Sequence, residues 1–200
     1  MSTNRFPLGP ERNFDSGRVF AGLDLKPRAL ISGNIRGGYR IARPLRDTVP
    51  QFAGLIAGGG LTLKLGDSFS LSGGLERDLD TSYQPTRPYF VYDLYEGSVR
   101  QALLRRLDFG VGMSSTKLNY RLFGPPGSPA AATRYFDYLV NTSASIGVIL
   151  LHGSRLGVYV SRWERFSGGG SIRSDRVGIQ ATIGKANVNE RGVFMNGPSR

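Results

Sequence analysis

Apolar and polar residues alternate one by one along most of this chain, and the clearest example lies on either side of Gly66-Asp67. Thr62 and Lys64 separate the leucines that precede this dipeptide, and small polar residues separate the apolar residues that follow it. The apolar positions of the two arms are Leu61, Leu63, Leu65, Phe69, Leu71 and Leu75. Since strand side chains point to opposite faces with a period of two, each arm has one apolar and one polar face. A tight Gly-Asp turn between two such arms predicts an antiparallel hairpin.

The same unit repeats along the chain, and no long window favours helical spacing. The predicted strands cover residues 18–25, 31–40, 52–65, 68–77, 89–103, 107–114, 138–148, 156–166 and 177–184. Short turns are expected at 26–28, 66–67, 104–106 and 152–154, and long polar loops at 41–50, 78–88, 121–132 and 167–174. The sequence therefore predicts an all-β fold, an antiparallel up-and-down meander of about nine strands.

The alternation is compatible with two opposite barrels. A soluble β-barrel keeps its apolar face inside, where it binds a small apolar ligand, whereas an outer-membrane barrel turns that face to lipid. Several predicted strands exceed about ten residues, the length that crosses a bilayer at a tilt. Short turns at one end, long loops at the other and aromatic residues near the long loops are also typical of outer-membrane barrels. We therefore predict a transmembrane β-barrel, or part of one, in the bacterial outer membrane, with the soluble barrel as the alternative.

The amino-acid composition excludes some kinds of active site, and the net charge indicates which partners are expected. Without cysteine, the 200-residue chain has no disulfide framework, no thiol nucleophile and no thiolate metal site. The net charge of +11 favours a negatively charged partner, such as outer-membrane lipid and lipopolysaccharide or an anionic polysaccharide. Nucleic acid is not expected as a partner, because the basic residues are spread over most strands and loops without one dense patch.

The start of the chain has neither the apolar core nor the cleavage site of a signal peptide. Export would therefore imply a fragment, a mature form or a misplaced start. The first and last predicted strands run in the same direction, so an even barrel would need one more strand, unless residues 5–15 supply it. We expect the C-terminal part of a larger barrel, with a flexible segment or loop at 1–16, barrel strands at 17–186 and a polar tail at 187–200.

Six charged residues are predicted to line the polar face, and hence the lumen. Rings of arginine and lysine select anions in a pore, so these positions are candidates for binding or conducting anionic solutes. The alternative is a solvated wall in which arginines pair with acids across strands. The six candidates are Arg36, Arg40, Lys64, Glu76, Arg77 and Arg100.

No catalytic residue, metal site or cofactor site is predicted, and we do not expect an enzyme. His152, the single histidine, lies in a predicted turn, far from the buried partners that a hydrolase or a histidine metal site would need. Gly58-Gly59-Gly60 precedes a strand and not a helix, so it indicates a bend or close packing instead of a phosphate cradle.

Three segments resemble the outer-membrane barrels of the beta-barrel porin 2 family. They are Leu30-Ile-Ser-Gly-Asn-Ile-Arg-Gly-Gly-Tyr-Arg40, Leu71-Ser-Gly-Gly-Leu-Glu-Arg-Asp78 and Arg173-Ser-Asp-Arg-Val-Gly178, and the likeness in strand rhythm extends over residues 13–186. The resemblance implies a porin-like channel or export conduit with a polar lumen, and an association with exopolysaccharide secretion in some members. It carries no catalytic residues over to this chain. The high positive charge and the end at Gly197-Pro-Ser-Arg200 depart from the family pattern.

Overall fold

The computed structural model describes residues 2–4, 13–25, 30–45, 49–66, 68–82, 84, 87–103, 106–122, 134–150 and 154–182. These residues form one sheet in which every strand pairs antiparallel with its neighbours in sequence. The strands are β1 Ser2–Asn4, β2 Phe14–Leu25, β3 Ile31–Pro44, β4 Phe52–Leu65, β5 Phe69–Thr81, β6 Tyr89–Leu103, β7 Leu107–Arg121, β8 Arg134–Ile149, β9 Arg155–Ser167 and β10 Gly170–Thr182.

The predicted all-β meander is confirmed, with nine long strands and the short β1. Within the described residues β1 pairs only with β2 and β10 only with β9, so the sheet is not closed into a barrel. In the part of the chain that the structure describes, no helix has the length and apolarity needed to span a membrane.

Strands continue into several segments that were predicted to be loops. β3 reaches Pro44, β5 reaches Thr81, and β10 begins at Gly170, so only two residues separate β9 from β10. The predicted long loop at 167–174 is therefore wrong. Residues 170–174 instead pair with residues 163–167 of β9, and Arg173 Nε lies 3.9 Å from Glu164 Oε1 there. Polarity alone misassigned them, since a polar cross-strand pair stabilises a strand as well as an apolar pair does.

The N-terminal segment also differs from the prediction. β1 lies inside the expected flexible segment 1–16, and β2 begins at Phe14. Ser2 pairs with Ser16 and Asn4 with Phe14, so a short strand precedes β2 in the antiparallel order. Several predicted features lie wholly or partly outside the described residues: the turns at 26–28, 104–106 and 152–154, Asp67, parts of the loops at 41–50, 78–88 and 121–132, and the tail at 187–200.

The hairpin at Gly66 is formed as predicted, with Leu65 paired to Phe69 across a three-residue connection. Gly66 has φ of +62°, a left-handed conformation that glycine adopts without a steric penalty. This connection belongs to the short-turn end of the sheet, where β2, β4, β6 and β8 also end. We call the opposite end of the sheet, where β3, β5 and β7 end, the long-loop end.

Register keeps the two faces separate across the whole sheet. One row of paired residues, on what we call the apolar face, is Ile31, Leu63, Leu71, Val99, Val111, Ala144, Val160 and Val177. The next row, on the opposite or polar face, is Ser32, Thr62, Ser72, Ser98, Gly112, Ser143, Ser161 and Arg176. A strict period of two along every strand therefore becomes two chemically different surfaces.

Many large apolar side chains of the apolar face are exposed, and several charged side chains are buried. Val177, Ile179 and Val19 on the apolar face are 79%, 77% and 75% exposed, whereas Asp108 and Asp137 on the polar face are 1% and 0% exposed. The apolar core is a small cluster of Phe14, Ala42, Val49, Phe52, Ile56, Leu79, Tyr89 and Val91.

Candidate functional site: ion pairs on the polar face

Asp108 is the centre of a buried cluster near the short-turn end. Arg155 Nε donates to both carboxylate oxygens, at 2.9 Å to Oδ1 and 2.7 Å to Oδ2. Arg100 Nε donates to Oδ2 at 3.0 Å, and its Nη2 also pairs with this oxygen. Gln180 Oε1 accepts from Arg155 Nη1 at 3.4 Å, so the cluster ties β6, β7, β9 and β10 together. Two guanidinium groups share one carboxylate, which leaves a charge of +1.

Two glycines make this cluster possible. Arg155 on β9 must cross β8 to reach Asp108 on β7, and Gly147 lies on β8 beneath its path. A Cβ on Gly147 would lie 2.7 Å from both Arg155 Cζ and Asp108 Oδ1. A Cβ on Gly157 would lie 3.0 Å from Arg155 Nη1 and 2.7 Å from the Ile146 carbonyl oxygen. The small residues therefore provide the space in which the ion pair forms.

Arg40 and Asp78 fill a gap between two strands. In the part of the sheet that the structure describes, β4 and β5 are paired only from Leu65 and Phe69 to Ala57 and Arg77. The backbone of Leu79 therefore has no partner on β4. Arg40 Nη1 donates to the Leu79 carbonyl oxygen at 2.8 Å and to Asp78 Oδ1 at 2.7 Å, and Asp78 Oδ1 accepts from the Leu79 N–H at 2.7 Å. The ion pair thus satisfies both backbone groups that the missing ladder bonds would leave unpaired.

Further contacts hold the Arg40 guanidinium in place. Its Nη2 donates to Ser16 Oγ at 3.4 Å, and Arg18 Nη1 lies 3.6 Å from the second oxygen of Asp78. Asp78 is therefore shared by two arginines, as Asp108 is. Arg40 is only 8% exposed, so this pair is one of the most buried in the described sheet.

A third buried carboxylate, Asp137, lies nearer the long-loop end. Arg165 Nε donates to its Oδ2 at 2.9 Å, Nη2 pairs with the same oxygen, and Nη2 also donates to the Tyr120 hydroxyl at 3.3 Å. Arg87 Cζ lies 3.6 Å from the Tyr135 ring centroid and 5.3 Å from that of Tyr120. Arginine and tyrosine side chains therefore cover this carboxylate.

Five of the six predicted residues lie on the polar face, by the register that pairs Lys64 with Ser70 and Ser70 with Arg100. Arg36 Nη2 donates to Glu76 Oε1 at 3.4 Å, and the Tyr92 hydroxyl donates to the same oxygen at 3.0 Å. Arg40 and Arg100 belong to the Asp78 and Asp108 clusters. The five residues are therefore distributed over separate groups, and Arg36, Arg40 and Arg100 pair with acids across strands.

The structure places Arg77 on the face opposite to the predicted one. It follows Leu75 by two residues and pairs in register with Ala57 and Asp93, so it lies on the apolar face. The prediction that it lines the polar face is wrong, because its odd position in β5 points with the leucines and not with Glu76. Its Nη1 donates to Asp93 Oδ1 at 2.6 Å, with side-chain exposures of 48% and 22%.

Four residues of these clusters were not predicted: the buried Asp108, Asp137 and Arg155, and the half-buried Arg165. Asp108 could have been found, since it alternates with the apolar residues of a predicted strand. Arg155 and Arg165 lie at or near strand ends, where the sequence pattern is weak. The close packing expected for Gly58-Gly59-Gly60 is present, because a Cβ on Gly58 would lie 2.8 Å from Arg36 Nε and one on Gly59 2.7 Å from the Asn34 carbonyl oxygen.

The described residues contain no group of three or more His, Cys, Asp or Glu side chains that could hold a metal ion. The polar face instead carries guanidinium groups and serine hydroxyls, which can donate hydrogen bonds. Comparison with protein-family models, curated proteins and solved structures gives no significant match. The class that the fold itself defines is an all-β, single-sheet antiparallel meander with an exposed apolar face and a charged, partly buried polar face.

Proposed function

We propose that this chain forms part or all of a β-barrel of the bacterial outer membrane and acts as a porin-like channel or export conduit. The apolar face contacts lipid, and the polar face lines a lumen that passes polar and anionic solutes. An anionic polysaccharide is one candidate cargo. The observation that carries the proposal is the distribution of exposure, because large apolar side chains cover the face that no other part of the described sheet packs against.

The soluble alternative needs the opposite facing. A barrel that binds an apolar ligand inside would bury the leucine and valine rows and expose the ion pairs. Here Leu71 is 43% and Val111 60% exposed, while the Asp108 and Asp137 carboxylates are buried. Strand length also favours the membrane proposal, since the nine long strands have 12 to 16 residues against about 9–11 needed to cross a bilayer.

The boundary between apolar and charged residues gives independent support. On the apolar face, the first charged residue met from the short-turn end lies at three levels: one is shared by β2 and β3, one by β5, β6 and β7, and one by β9 and β10. Relative to the row shared by Arg77, Asp93 and Lys117, it lies higher at the start of the sheet and lower at the end. These boundary residues are Asp15, Arg43, Arg77, Asp93, Lys117, Arg162 and Asp175. Two strands do not follow the trend: β4 has no charged position in this phase, and on β8 the first is Arg134, at the long-loop end.

The slope of this boundary agrees with a tilted barrel. It falls by about ten residues over the eight steps from β2 to β10, and with about 3.3 Å per residue and 4.8 Å between strands this corresponds to roughly 40°. Strands of outer-membrane barrels tilt by about 35–45° from the barrel axis. On the seven strands that carry it, the boundary is therefore level in a membrane if the strands have that tilt, which a soluble sheet does not require.

The clusters on the polar face favour anions. Asp78 and Asp108 are each shared by two arginines, so each cluster has a charge of +1 close to the proposed lumen. Positive charge fixed on a pore wall raises the local concentration of anions and lowers that of cations. Other arginines are paired with acids across strands, so the expected preference for anions over cations is modest.

Two measurements test the proposal. Detergent-refolded protein should migrate faster on a gel when unheated than when boiled, and a chain that is a compact monomer without detergent would reject the barrel. In a planar bilayer with a KCl gradient, the reversal potential should indicate a preference for chloride. Arg100→Gln should reduce that preference while Arg162→Gln, on the apolar face, leaves it unchanged; cation selectivity would reject the anion conduit.

A further inference from the structure

We infer that Lys117, together with Arg77, forms a site on the apolar face for the phosphate groups of lipid A, the membrane anchor of lipopolysaccharide. The inference rests on the proposed membrane function. It names one lipid headgroup and the residues that would hold it.

The position of the Lys117 ammonium group is set by two aromatic rings. Its Nζ lies 4.5 Å from the ring centroid of Phe136 and 5.7 Å from that of Tyr138, both on the neighbouring strand β8. Tyr138 is also its direct partner in register. A lysine held against ring faces keeps its charge at one level instead of following solvent, because the cation is attracted by the π-electrons. Its remaining N–H donors stay available for an anion.

The charges around Lys117 are unbalanced. Asp93 is its register partner on β6, but Asp93 Oδ1 already accepts from Arg77 Nη1 at 2.6 Å. Among the described residues, Lys117 makes no ion pair of its own. The row of Arg77, Asp93 and Lys117 therefore carries two positive charges and one negative charge side by side on adjacent strands.

A second charged group on the same face provides the contrast. Arg162 Nε lies 2.9 Å from Asp175 Oδ1, Arg173 Nη2 lies 2.9 Å from Asp175 Oδ2, and Arg173 Nε lies 3.9 Å from Glu164 Oε1. Two arginines and two carboxylates balance each other there. An anion is consequently attracted to the Lys117 row and not to this second group.

Depth and leaflet select the phosphates of lipid A. Lys117 is the first charged residue above Leu107, Phe109, Val111 and Met113 on β7, so it lies where hydrocarbon gives way to headgroups. The long-loop end of an outer-membrane barrel faces outward, into the leaflet that contains lipopolysaccharide. Phosphates lie at this boundary, and a lysine ammonium binds them as a point charge.

The inference is tested by measuring lipopolysaccharide binding to the detergent-refolded full chain with native mass spectrometry. Lys117→Gln should weaken binding of phosphorylated lipid A about fivefold, the size of one partly exposed charged hydrogen bond. Asp93→Asn should strengthen it, because it removes the only negative charge of the row. Arg162→Gln, the same charge change in the balanced group on the apolar face, is the matched control and should have no effect.

Each result has a definite meaning. Equal binding of dephosphorylated lipid A, or equal effects of Lys117→Gln and Arg162→Gln, would overturn the site while leaving a heat-modifiable barrel intact. Inorganic phosphate that competes at millimolar concentration as well as lipid A does would overturn the lipid assignment. If the unsubstituted protein migrates equally on a gel whether boiled or unheated, the proposed membrane function is rejected. Failure of the lipid A site and failure of the membrane function are therefore distinguishable.

Discussion

Gly147→Ala should destabilise the sheet although it adds only one methyl group. The new Cβ would lie 2.7 Å from Arg155 Cζ and from Asp108 Oδ1, so it would displace Arg155 from the carboxylate. Arg155 supplies donors to both oxygens of Asp108, whose side chain is 1% exposed. A substitution on the opposite face does not meet this obstacle.

The expected cost follows from what remains of the cluster. Removing one partner of a buried ion pair costs about 3–5 kcal/mol when the other charge is left alone. Arg100 still donates to Asp108 in the variant, which reduces the expected loss to about 2–3 kcal/mol. Gly37→Ala is the matched control, because a Cβ at Gly37 meets nothing within 4 Å. That variant should be neutral or more stable by up to about 1 kcal/mol, through reduced entropy of the unfolded chain.

The assay is urea unfolding of the detergent-refolded protein, followed by the fluorescence of the single tryptophan, Trp163. A loss in Gly147→Ala no larger than in Gly37→Ala would refute the argument. A double-mutant cycle with Asp108→Asn identifies the mechanism. If displacement of Arg155 from Asp108 is the cause, the two substitutions should cost at least about 1 kcal/mol less together than the sum of their separate costs.

Three further predictions concern facing and the gap between strands. Leu71→Arg, six residues from Arg77 and hence near the bilayer midplane, should cost about 2–4 kcal/mol, while Ser72→Arg should be tolerated; equal urea midpoints would contradict the facing. Arg40→Leu should cost about 3 kcal/mol, because Asp78 and the Leu79 carbonyl lose their donor. Arg176→Leu, exposed on the polar face, is its control, and equal stability of the two variants would reject the role of Arg40. In vesicles, a cysteine at Thr62 should react with an aqueous maleimide and one at Leu63 should not; the reverse pattern would favour the soluble barrel.

The number of strands and their two faces follow from the sequence alone. Leu61 to Leu75 alternate strictly, and the same period in the other segments leaves no alternative to strands, because one face of each must be uniformly apolar. Strand ends were predicted less well. The polar residues 170–174 were assigned to a loop, but in the structure they pair with residues 163–167 of β9, and Arg173 meets Glu164 there. Only pairing reveals that a polar segment continues a strand.

Arg77 illustrates the limit for individual side chains. Charge suggested the polar face, yet position within the strand decides the face, and Arg77 is in phase with Leu75. The candidate site shows the same limit in another form. Asp108 and Arg155 are 47 residues apart, and Gly147 between them is informative only once β7, β8 and β9 are side by side.

The sequence by itself thus determined an antiparallel meander with one apolar and one polar face, because alternation is a local property of each strand. The tertiary structure decided which charges meet, where the sheet opens between β4 and β5, and how the charged boundary slopes across the strands. These properties depend on register, which relates residues distant in the chain. The physical reason is that the electrostatic energy of a buried charged side chain depends on its neighbours across strands. Those neighbours come together only when the sheet forms.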